Sequence, residues 1–453
     1  MSERADVVVV GMGPGGEDLA GKLAERGLDV IGIDHGLVGG ECPYWGCIPS
    51  KMMIRASNLL AEARRIDGMA GTATVTPDWS IVAKRIREEA TDDWDDRVAV
   101  ERFEKKGGRF IRGTAHFAGP GKIDVDGTTI EASKIVVNAG TVPVIPPVAG
   151  LADVHYWTNH HAIEAKELPA TLTILGGGPI GLELGQMFSR FGVKVTIVEA
   201  GQRILGPEEP ESSALLAEVF EREGIVVRTG AGAEKVSIDG ADISLTLSDG
   251  STVHGEKLLV AVGRRAPIKE LNVSAIGIDE SERFLKVDER GRVTDGVWAI
   301  GDITGKGNFT HMSMYEANVA MHDIVGDDGP VASYHAVPRV TFTDPEIGSV
   351  GMSEKGARDA GIDIRVGNYP VPKSTRGWIH KAGNNGYIKL IEDRARGVLV
   401  GATSAGPTGG EVLGLLTLAV HAAIPVEQLR SMIFAYPTFH RSIEAALDEL
   451  MSH

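Results

Sequence analysis

Two glycine-rich segments of the same form constrain this chain most strongly. Gly11-Met12-Gly13-Pro14-Gly15-Gly16 follows the apolar run Val7–Val10. Gly176-Gly177-Gly178-Pro179-Ile180-Gly181 follows Leu172–Leu175. Each segment precedes a helical pattern and a second strand. The second strand ends in an acidic residue, Asp34 or Glu199, at the same distance from the first glycine of its segment. A repeat of this kind predicts two strand–turn–helix units in one chain.

The three glycines of each turn meet the spatial requirements for binding a dinucleotide. The first glycines, Gly11 and Gly176, permit a tight turn, and the second glycines, Gly13 and Gly178, let the backbone approach a pyrophosphate. The third glycines, Gly16 and Gly181, let the helix pack on the strand. The pyrophosphate then meets the unpaired N–H groups of the helix, and the acidic residue accepts a hydrogen bond from a ribose. We therefore predict two dinucleotides, one flavin and one nicotinamide.

Turn signals divide the remainder of the chain. A proline-rich stretch, residues 140–147, and a second turn, residues 263–267, indicate domain crossings, and a β-rich region followed by a helical tail begins near Ser333. The predicted fold class is α/β, with two Rossmann-like dinucleotide-binding domains (FAD and NAD(P)) and a C-terminal α+β domain. The predicted divisions are residues 1–148 and 266–330 for the first domain, 149–265 for the second and 331–453 for the third.

Charge and hydropathy exclude several classes of protein. The chain has 46 Lys and Arg against 62 Asp and Glu, a net charge of −16, so we expect no nucleic-acid partner. The longest apolar stretch, Leu413–Val426, contains polar residues and predicts a buried helix, so we expect no membrane insertion. The polar N-terminus does not resemble a signal peptide, and we expect a cytoplasmic protein.

The chain has only two cysteines, Cys42 and Cys47, which excludes a disulfide scaffold and a cysteine zinc site, and no other metal site is predicted. Five residues of regular helix rise about 7.5 Å, beyond the roughly 7 Å Cα limit for a disulfide. The pair therefore closes only on an irregular turn, which nearby glycines and prolines favour, with regular helix resuming near Ser50–Arg65. Lys51 places a cation that favours a thiolate. We predict a redox-active pair.

Three motifs carry a family resemblance. Gly39-Gly40-Glu41-Cys42 through Cys47-Ile48-Pro49-Ser50-Lys51 lies between the two glycine turns, Thr294–Asp302 resembles a second flavin motif, and Val337–Gly351 resembles the start of a dimerisation domain. In this order they resemble the class I flavoprotein disulfide reductases, which include dihydrolipoamide dehydrogenase, glutathione reductase and mercuric reductase.

The resemblance implies roles for individual residues. Cys47 faces the flavin, Cys42 attacks an external partner, and Lys51 lies near the flavin and pairs with Glu183. The implied FAD-lining residues are Gly11, Gly13, Gly16, Asp34, Lys51, Gly140 and Asp302. Further implied cofactor-binding positions are Gly40, Ala115, Gly263 and Gly301, and the nicotinamide positions are Gly176, Gly178, Gly181 and Glu199.

The sequence contains some information on whether the nicotinamide cofactor is NADH or NADPH. Glu199 accepts a ribose 2′-hydroxyl and repels a 2′-phosphate, which favours NADH. Gly181 points the same way, because NADPH-using relatives often carry alanine there. Gln202 and Arg203 follow closely and are able to accommodate a phosphate, so NADPH stays open.

The C-terminus departs from the family pattern. Disulfide reductases end in His-Pro-Thr-x-x-Glu, whereas this chain has Tyr436-Pro437-Thr438-Phe439-His440-Arg441. A phenol is a poor base at neutral pH, and an arginine cannot orient an imidazolium as a carboxylate does. Whether Tyr436 or His440 acts as acid–base stays open. Mercuric reductases also carry tyrosine here, but this chain lacks their C-terminal cysteine pair.

These features predict an FAD-dependent NAD(P)H oxidoreductase that reduces a small disulfide-type acceptor through Cys42 and Cys47. The resemblance implies a homodimer whose active site is shared between subunits. One alternative is reduction of a quinone or a metal ion of the mercuric type. An alternative of another class is a flavin-bearing sensor or binding protein without turnover.

Overall fold

The computed structural model describes residues 3–452. The chain forms two compact units, each assembled from separate segments. The first unit contains the residues up to Ser50, Lys84–Val144 and Gly263–Tyr334, and the second contains Lys51–Ala83, Ile145–Val262 and the residues from His335 onward. Each unit contains one glycine-rich turn. The finer division of the chain at residues 148, 265 and 330 stays a prediction.

The strands are numbered in chain order. They are β1 (Glu3–Val10), β2 (Val30–Asp34), β3 (Arg109–Arg112), β4 (Ala115–Gly119), β5 (Lys122–Val125), β6 (Thr128–Val137), β7 (Val142–Pro143), β8 (Thr171–Leu175), β9 (Lys194–Glu199), β10 (Val226–Thr229), β11 (Ala233–Asp239), β12 (Asp242–Leu247), β13 (Thr252–Gly255), β14 (Lys257–Val260), β15 (Arg264–Arg265), β16 (Arg292–Thr294), β17 (Val297–Ala299), β18 (Pro338–Thr341), β19 (Glu346–Gly351), β20 (Ile364–Pro370), β21 (Tyr387–Asp393) and β22 (Val398–Gly406).

The α-helices are numbered in the same way, and short 3₁₀ segments join several elements. The helices are α1 (Pro14–Glu25), α2 (Glu41–Tyr44), α3 (Cys47–Arg64), α4 (Trp79–Arg85), α5 (Arg97–Lys105), α6 (Asn159–Ile163), α7 (Pro179–Arg190), α8 (Pro210–Arg222), α9 (Thr310–Val325), α10 (Glu354–Asp359), α11 (Thr375–His380), α12 (Gly409–His421), α13 (Val426–Arg430) and α14 (Ser442–Met451).

The first unit is organised around the parallel pairing of β1 with β2 and β6. Its sheet has the order β16-β17-β6-β1-β2-β3, and the β4–β5 hairpin joins β6. Successive β1 side chains enter two hydrophobic clusters, Val8 and Val10 in one, Val7 and Val9 in the other. Because both faces are covered, β1 is apolar throughout its second half instead of alternating.

The second unit contains three sheets. A parallel sheet of order β10-β9-β8-β14 carries the second glycine turn, and β11-β12-β13 form a small antiparallel sheet. An antiparallel sheet of order β18-β19-β22-β21-β20 packs against the apolar faces of α12 and α14. This unit thus combines a Rossmann-like half with the α+β region expected at the C-terminus.

The element boundaries differ from the sequence expectations at three places. Helix α1 begins at Pro14, earlier than expected, because proline suits the first helical position behind the N-cap Gly13. Helix α3 begins at Cys47 instead of Ser50. The predicted single helix over Leu413–Val426 is wrong: α12 ends at His421, and Pro425 caps the separate helix α13. Within residues 3–452, no helix is long and apolar enough to cross a membrane.

Candidate active site

The first glycine turn joins β1 to α1 in close contact with the end of β6. Gly11 has φ +94°, and a Cβ there would lie 2.3 Å from the carbonyl oxygen of Asn138. A Cβ on Gly16 would lie 2.1 Å from the carbonyl oxygen of Gly11. At Gly13 the nearest group is the Asn138 side-chain amide, 3.2 Å away. Two glycines are therefore needed for packing, whereas Gly13 faces less crowded space.

Asp34 closes this turn from the end of β2. Its carboxylate accepts hydrogen bonds from the backbone N–H of Met12 at 2.7 Å and of Gly36 at 2.8 Å. A carboxylate has about four lone-pair sites, so both oxygens keep capacity for a ribose hydroxyl. Glycine-bounded space beside an anchored carboxylate fits the adenosine half of FAD.

The second flavin motif places Asp302 beside the β7–β15 pair. The Thr141 hydroxyl donates to Asp302 Oδ2 at 2.9 Å, and Arg264 donates to both the hydroxyl and the carbonyl oxygen of Thr141, at 2.9 and 2.6 Å. Burial raises the pKa of Asp302, while the Thr141 hydrogen bond opposes this shift. Arg264 also lies 3.4 Å from Glu41, so the network reaches the cysteine segment. These polar groups suit the hydroxyl groups of a flavin side chain.

The other implied flavin positions lie in the first unit. Gly140 and Gly263 have φ +63° and +120°, and a Cβ on either would meet nothing within 4 Å. The Gly301 N–H donates to the buried Glu316 at 2.6 Å. Ala115 begins β4, pairs with Val125 and packs against the core.

The two cysteines flank a break between helices. Gly40 has φ +65° and precedes α2, and a Cβ there would lie 2.9 Å from Gly13 Cα, which brings this segment against the glycine turn. Cys42 lies in α2, the helix ends at Tyr44, and Cys47 is the first residue of α3. The irregular turn that the spacing requires is therefore present. The two cysteines do not form a disulfide in this structure.

The surroundings of the two sulfurs differ. Cys47 Sγ lies 3.3 Å from the hydroxyl oxygen of Thr310, the first residue of α9. The side-chain hydrogen bond with Cys47 raises the pKa of the Cys42 thiol, burial raises it further, and a hydrogen bond with Thr310 acts in the opposite direction. These surroundings favour the protonated form of Cys42.

The second glycine turn repeats the first in detail. Gly176 has φ +116°, and a Cβ there would lie 2.3 Å from the carbonyl oxygen of Ala261, while a Cβ on Gly181 would lie 2.2 Å from that of Gly176. A Cβ on Gly178 would meet nothing within 4 Å. Glu199 accepts the N–H groups of Gly177 and Gly201, each at 2.7 Å. This open turn fits a second dinucleotide.

Arg203, the candidate partner of a 2′-phosphate, is engaged by its own loop and by helix α8. Its guanidinium donates to the Ser213 hydroxyl at 2.7 Å and to the carbonyl oxygen of Gly206 at 2.5 Å. Gln202 lies against Gly230. These contacts turn the arginine away from a phosphate-binding role in this conformation.

Lys51 and Glu183 form the ion pair that the resemblance implies. Lys51 Nζ lies 2.8 Å from Glu183 Oε2 and 4.7 Å from the centre of the Phe342 ring. The backbone N–H of Phe342 donates to Glu183 Oε1 at 2.8 Å, so both carboxylate oxygens are bound. The same face of α7 holds the next segment: Gln186 accepts the Asp344 N–H at 2.8 Å.

The candidate acid–base residues lie at the turn before α14. Tyr436 is 64% exposed, its hydroxyl lies 3.4 Å from Thr375 Oγ1, and the Arg441 guanidinium stacks over its ring at 5.2 Å. Arg441 also pairs with Glu444 at 2.9 Å. The His440 ring lies against Phe434, with centroids 6.2 Å apart.

In the described part of the chain, one cluster of three carboxylates has the spacing of a metal site: Glu209, Glu211 and Glu354. Lys389 Nζ lies within 2.9 Å of an oxygen of each. Burial alone would lower the pKa of Lys389, but the hydrogen bonds to these carboxylates raise it. The cluster is occupied by its own cation.

The sequence did not predict a role in the site for three residues: Thr310, Thr141 and Arg264. Arg264 lies within a turn recognised only as a domain crossing. Thr141 follows a glycine in a similar turn, and Thr310 has no motif of its own. Each forms its hydrogen bond with a residue more than 100 positions away, and no local sequence pattern predicts such a contact.

Comparisons with known proteins cover nearly the whole chain. Residues 5–322 match the family described as pyridine nucleotide-disulphide oxidoreductase, and residues 337–447 match its dimerisation domain. A dihydrolipoyl dehydrogenase from Halobacterium salinarum is 33% identical over 100% of this chain and 98% of its own length. A mercuric reductase from Streptomyces lividans is 31% identical over 99% of this chain and 96% of its own length.

Solved structures give the same assignment. The HOCl-induced flavoprotein disulfide reductase RclA from Escherichia coli matches with a TM-score of 0.85 and 28% identity, over 98% of this chain and 99% of that chain. Its Cu(II) complex matches with a TM-score of 0.83 and 27% identity, over 100% of this chain and 99% of that chain.

Proposed function

The chain belongs to the pyridine nucleotide-disulphide oxidoreductase family, and from this premise we propose that it uses Cys42 and Cys47 to reduce a small disulfide-type acceptor. It is an NAD(P)H-dependent flavoprotein and a homodimer. The observation that carries the proposal is the placement of Cys42 and Cys47 on either side of the break between α2 and α3. The glycine turn at Gly11, with Asp34 and Asp302, would hold FAD, which when bound would supply the transfer of two electrons from NAD(P)H to the cysteine pair.

The reaction with the acceptor falls to the two sulfurs. The Cys42 thiolate attacks one sulfur of the acceptor disulfide and releases the other as a thiolate. Cys47 then attacks Cys42, which re-forms the Cys42–Cys47 disulfide and releases the second thiolate. Because Cys47 and burial raise the pKa of the Cys42 thiol, its attack requires deprotonation, and each released thiolate requires a proton.

Tyr436 is the residue proposed to limit this step. It stands where disulfide reductases of the family carry histidine, and a positioned general base contributes about 10²–10⁴-fold to rate. Its exposed hydroxyl faces Thr375, and the Arg441 guanidinium stacks over its ring. We therefore expect weak turnover of lipoamide and glutathione disulfide, with the C-terminal region of one subunit acting at the site of its partner. His440 packs against Phe434 and is the second candidate.

NADH is the proposed electron donor in preference to NADPH. Glu199 keeps acceptor capacity for a 2′-hydroxyl and repels a 2′-phosphate, and the Arg203 guanidinium donates to Ser213 of α8 and to the Gly206 carbonyl. A cytoplasmic location stays a prediction from the sequence.

Substitution of Cys42 distinguishes the acceptors. We expect Cys42→Ser to abolish reduction of lipoamide and glutathione disulfide, because the attacking sulfur is lost. Reduction of menadione survives, since a quinone can take electrons without this thiol. The measurement is steady-state NADH and NADPH oxidation with each acceptor under anaerobic conditions.

The matched variant is Cys47→Ser, which removes the other sulfur and should also abolish disulfide reduction. Persistent lipoamide turnover in Cys42→Ser would falsify the proposed role of the pair. If NADH fails to reduce the flavin of the wild-type protein anaerobically, the chain is a binding or sensor protein instead.

A metal ion is the second candidate acceptor. Tyr436 favours it, because mercuric reductases carry tyrosine at this position and reduction of a metal ion delivers no proton to a leaving thiolate. The Cu(II) complex of RclA extends this candidate to copper. With only two cysteines, the chain has no further thiols to pass Hg(II) inward, so Cu(II) is the better probe. Cu(II) reduction that exceeds lipoamide reduction and disappears in Cys42→Ser would favour this alternative.

A further inference from the structure

The loop that follows Glu199 lies against the second glycine turn. The Leu205 N–H donates to the Gly177 carbonyl oxygen at 2.8 Å, and Leu205 is buried. A Cβ on Gly201 would lie 3.0 Å from Glu199 Oε1 and 3.8 Å from the Arg203 carbonyl oxygen. The backbone of Arg203 is therefore close to the carboxylate that is proposed to bind the ribose 2′-hydroxyl.

The direction of the Arg203 side chain depends on helix α8. Its guanidinium donates to Ser213 Oγ, in the first turn of α8, at 2.7 Å and to the Gly206 carbonyl oxygen at 2.5 Å. The Ser213 hydroxyl in turn donates to the Ile204 carbonyl oxygen at 2.6 Å. Because these acceptors hold the guanidinium, Arg203 becomes available to a 2′-phosphate only when the loop or the start of α8 shifts.

A buried lysine of the C-terminal sheet holds the start of α8. Lys389 Nζ on β21 lies 2.8 Å from Glu209 Oε2 and 2.7 Å from Glu211 Oε1. Glu354 also pairs with this lysine at 2.9 Å, and its N–H donates to Glu209 Oε1 at 2.6 Å. Both Lys389 and Glu209 are buried, and a buried carboxylate without a partner is costly. The lysine therefore stabilises Glu209 at the N-cap of α8.

Further contacts from the same sheet hold the residues on either side. Arg339 on β18 donates to Glu208 Oε1 at 2.7 Å, and the Ser349 hydroxyl of β19 donates to Glu208 Oε2. The Tyr387 hydroxyl of β21 lies 2.7 Å from Ser212 Oγ. Strands of one sheet thus bind the end of the loop and the start of α8, and all of these residues belong to the second unit.

We propose that Lys389 and Arg339 are positioning residues that favour NADH over NADPH, because they keep Arg203 bound to its loop and to α8. They act through Glu209 and Glu208. The inference rests on the proposed function, in which the second glycine turn binds the nicotinamide nucleotide. Since the repulsion between Glu199 and a 2′-phosphate stays when the loop is released, the loss of either cation weakens the preference for NADH without reversing it.

The test compares the affinities of the FAD-loaded enzyme for NADH and NADPH. Lys389→Met and Arg339→Met each remove one cation. Arg365→Met is the matched control, because Arg365 pairs with the buried Glu392 on the same sheet at 2.8 Å. Anaerobic stopped-flow measurement of flavin reduction against nucleotide concentration gives a Kd and a limiting rate for each nucleotide.

We expect the ratio of the NADPH Kd to the NADH Kd to fall about tenfold in Lys389→Met and in Arg339→Met, because the released guanidinium forms a hydrogen bond with the charged phosphate. Arg365→Met should keep the wild-type ratio. In an Arg203→Ala background, Lys389→Met should leave the ratio unchanged, since the guanidinium is absent. A purely structural role would weaken both nucleotides alike and leave the ratio of wild type.

An unchanged ratio in both single variants, an equal fall in Arg365→Met, or a fall that persists in the Arg203→Ala background overturns the proposal. The flavin spectrum and dimer mass verify folding. Arg339 is partly exposed, so its variant gives the answer if Lys389→Met does not fold. Because flavin reduction requires no acceptor, failure of the acceptor assays leaves this result intact. Wild type that neither nucleotide reduces would contradict the proposed function, and this inference with it.

Discussion

Glu316 is the most strongly perturbed buried carboxyl group near the second flavin motif. It is 4% exposed and lies on α9, and it accepts hydrogen bonds from the Gly301 N–H at 2.6 Å and from the Tyr334 hydroxyl at 3.0 Å. Burial raises the pKa of Glu316 to about 7, against these donors, and the charge of Asp302 adds to the increase. A carboxyl group beside the flavin motif thus changes charge near neutral pH.

The sign of the effect on stability follows from linkage. Between about pH 4.5 and pH 7 the folded chain retains the Glu316 proton while the unfolded chain loses it, so stability falls as pH rises. We expect the stability of wild type relative to Glu316→Gln to fall by about 3 kcal/mol over this interval. Urea unfolding at fixed protein and FAD concentrations measures the difference.

The control for this prediction is Glu221→Gln, which removes a carboxylate from the exposed part of α8. A pH-independent difference for Glu316→Gln would show that the folded and unfolded states bind the Glu316 proton equally.

At the scale of elements, the two strand–turn–helix segments use their glycines for different purposes. The first and third glycines of each turn pack against carbonyl oxygens, and the middle glycine of the second turn, Gly178, faces open space. The motif therefore combines packing requirements with a ligand-binding requirement, and single substitutions separate them.

We expect Gly181→Ala to lower the free energy of unfolding by about 1–3 kcal/mol, because its Cβ would lie 2.2 Å from the Gly176 carbonyl oxygen. Gly178→Ala keeps the stability of wild type and weakens NADH binding, since the added methyl group occupies the approach of the pyrophosphate. Urea unfolding and fluorescence titration with NADH are the two measurements. Equal effects of both substitutions on stability would contradict this division.

Polar side chains connect helices α3 and α7 in the second unit. Lys51 pairs with Glu183, and farther along Arg190 of α7 donates to Asn58 of α3 at 2.5 Å and to Asp344 at 2.7 Å. Arg190 is buried, and removing one partner from a buried ion pair is costly. The Lys51–Glu183 pair is thus part of a longer polar contact between the two helices.

At the scale of the whole molecule, the protein is a homodimer with a C-terminal region that departs from the family pattern. Tyr436 and Arg441 replace a histidine and a glutamate, and Arg441 pairs with Glu444 instead of orienting a base. The departure concerns the acceptor step, in which each released thiolate requires a proton.

The double variant Tyr436→His with Arg441→Glu tests this difference. We expect it to raise lipoamide turnover at least about tenfold, because an oriented imidazole supplies the missing acid–base group. Arg441→Glu alone should produce no such gain. Steady-state NADH oxidation with lipoamide is the measurement, and an unchanged rate in the double variant would contradict the role given to Tyr436.

Hybrid dimers test whether the C-terminal region acts across subunits. One chain is wild type, and the other carries Cys42→Ser, Tyr436→His and Arg441→Glu. The only complete cysteine pair then lies in the wild-type chain, and the new histidine lies in its partner. A gain in lipoamide turnover requires action in trans, whereas action within one subunit predicts none.

The sequence by itself determined the two dinucleotide turns, the cysteine pair and the family. These features are local: glycine conformation, helix capping and the separation of Cys42 from Cys47 each depend on adjacent residues. The irregular turn between the cysteines was predictable for this reason. The ends of the helices were less predictable, because an apolar run does not reveal where a helix stops. Helix α12 was expected to continue past His421, where it ends.

Only the tertiary structure decided which polar groups meet the reactive ones. Thr310 reaches Cys47 from 263 positions away, and Thr141 reaches Asp302 from 161 positions away. The direction of the Cys42 and Glu316 pKa shifts follows from burial and from these partners. Such contacts depend on how distant elements pack, which leaves no periodicity or spacing in the sequence. The sequence therefore specifies the redox centre, and the packing of α9 places the Thr310 hydroxyl beside Cys47.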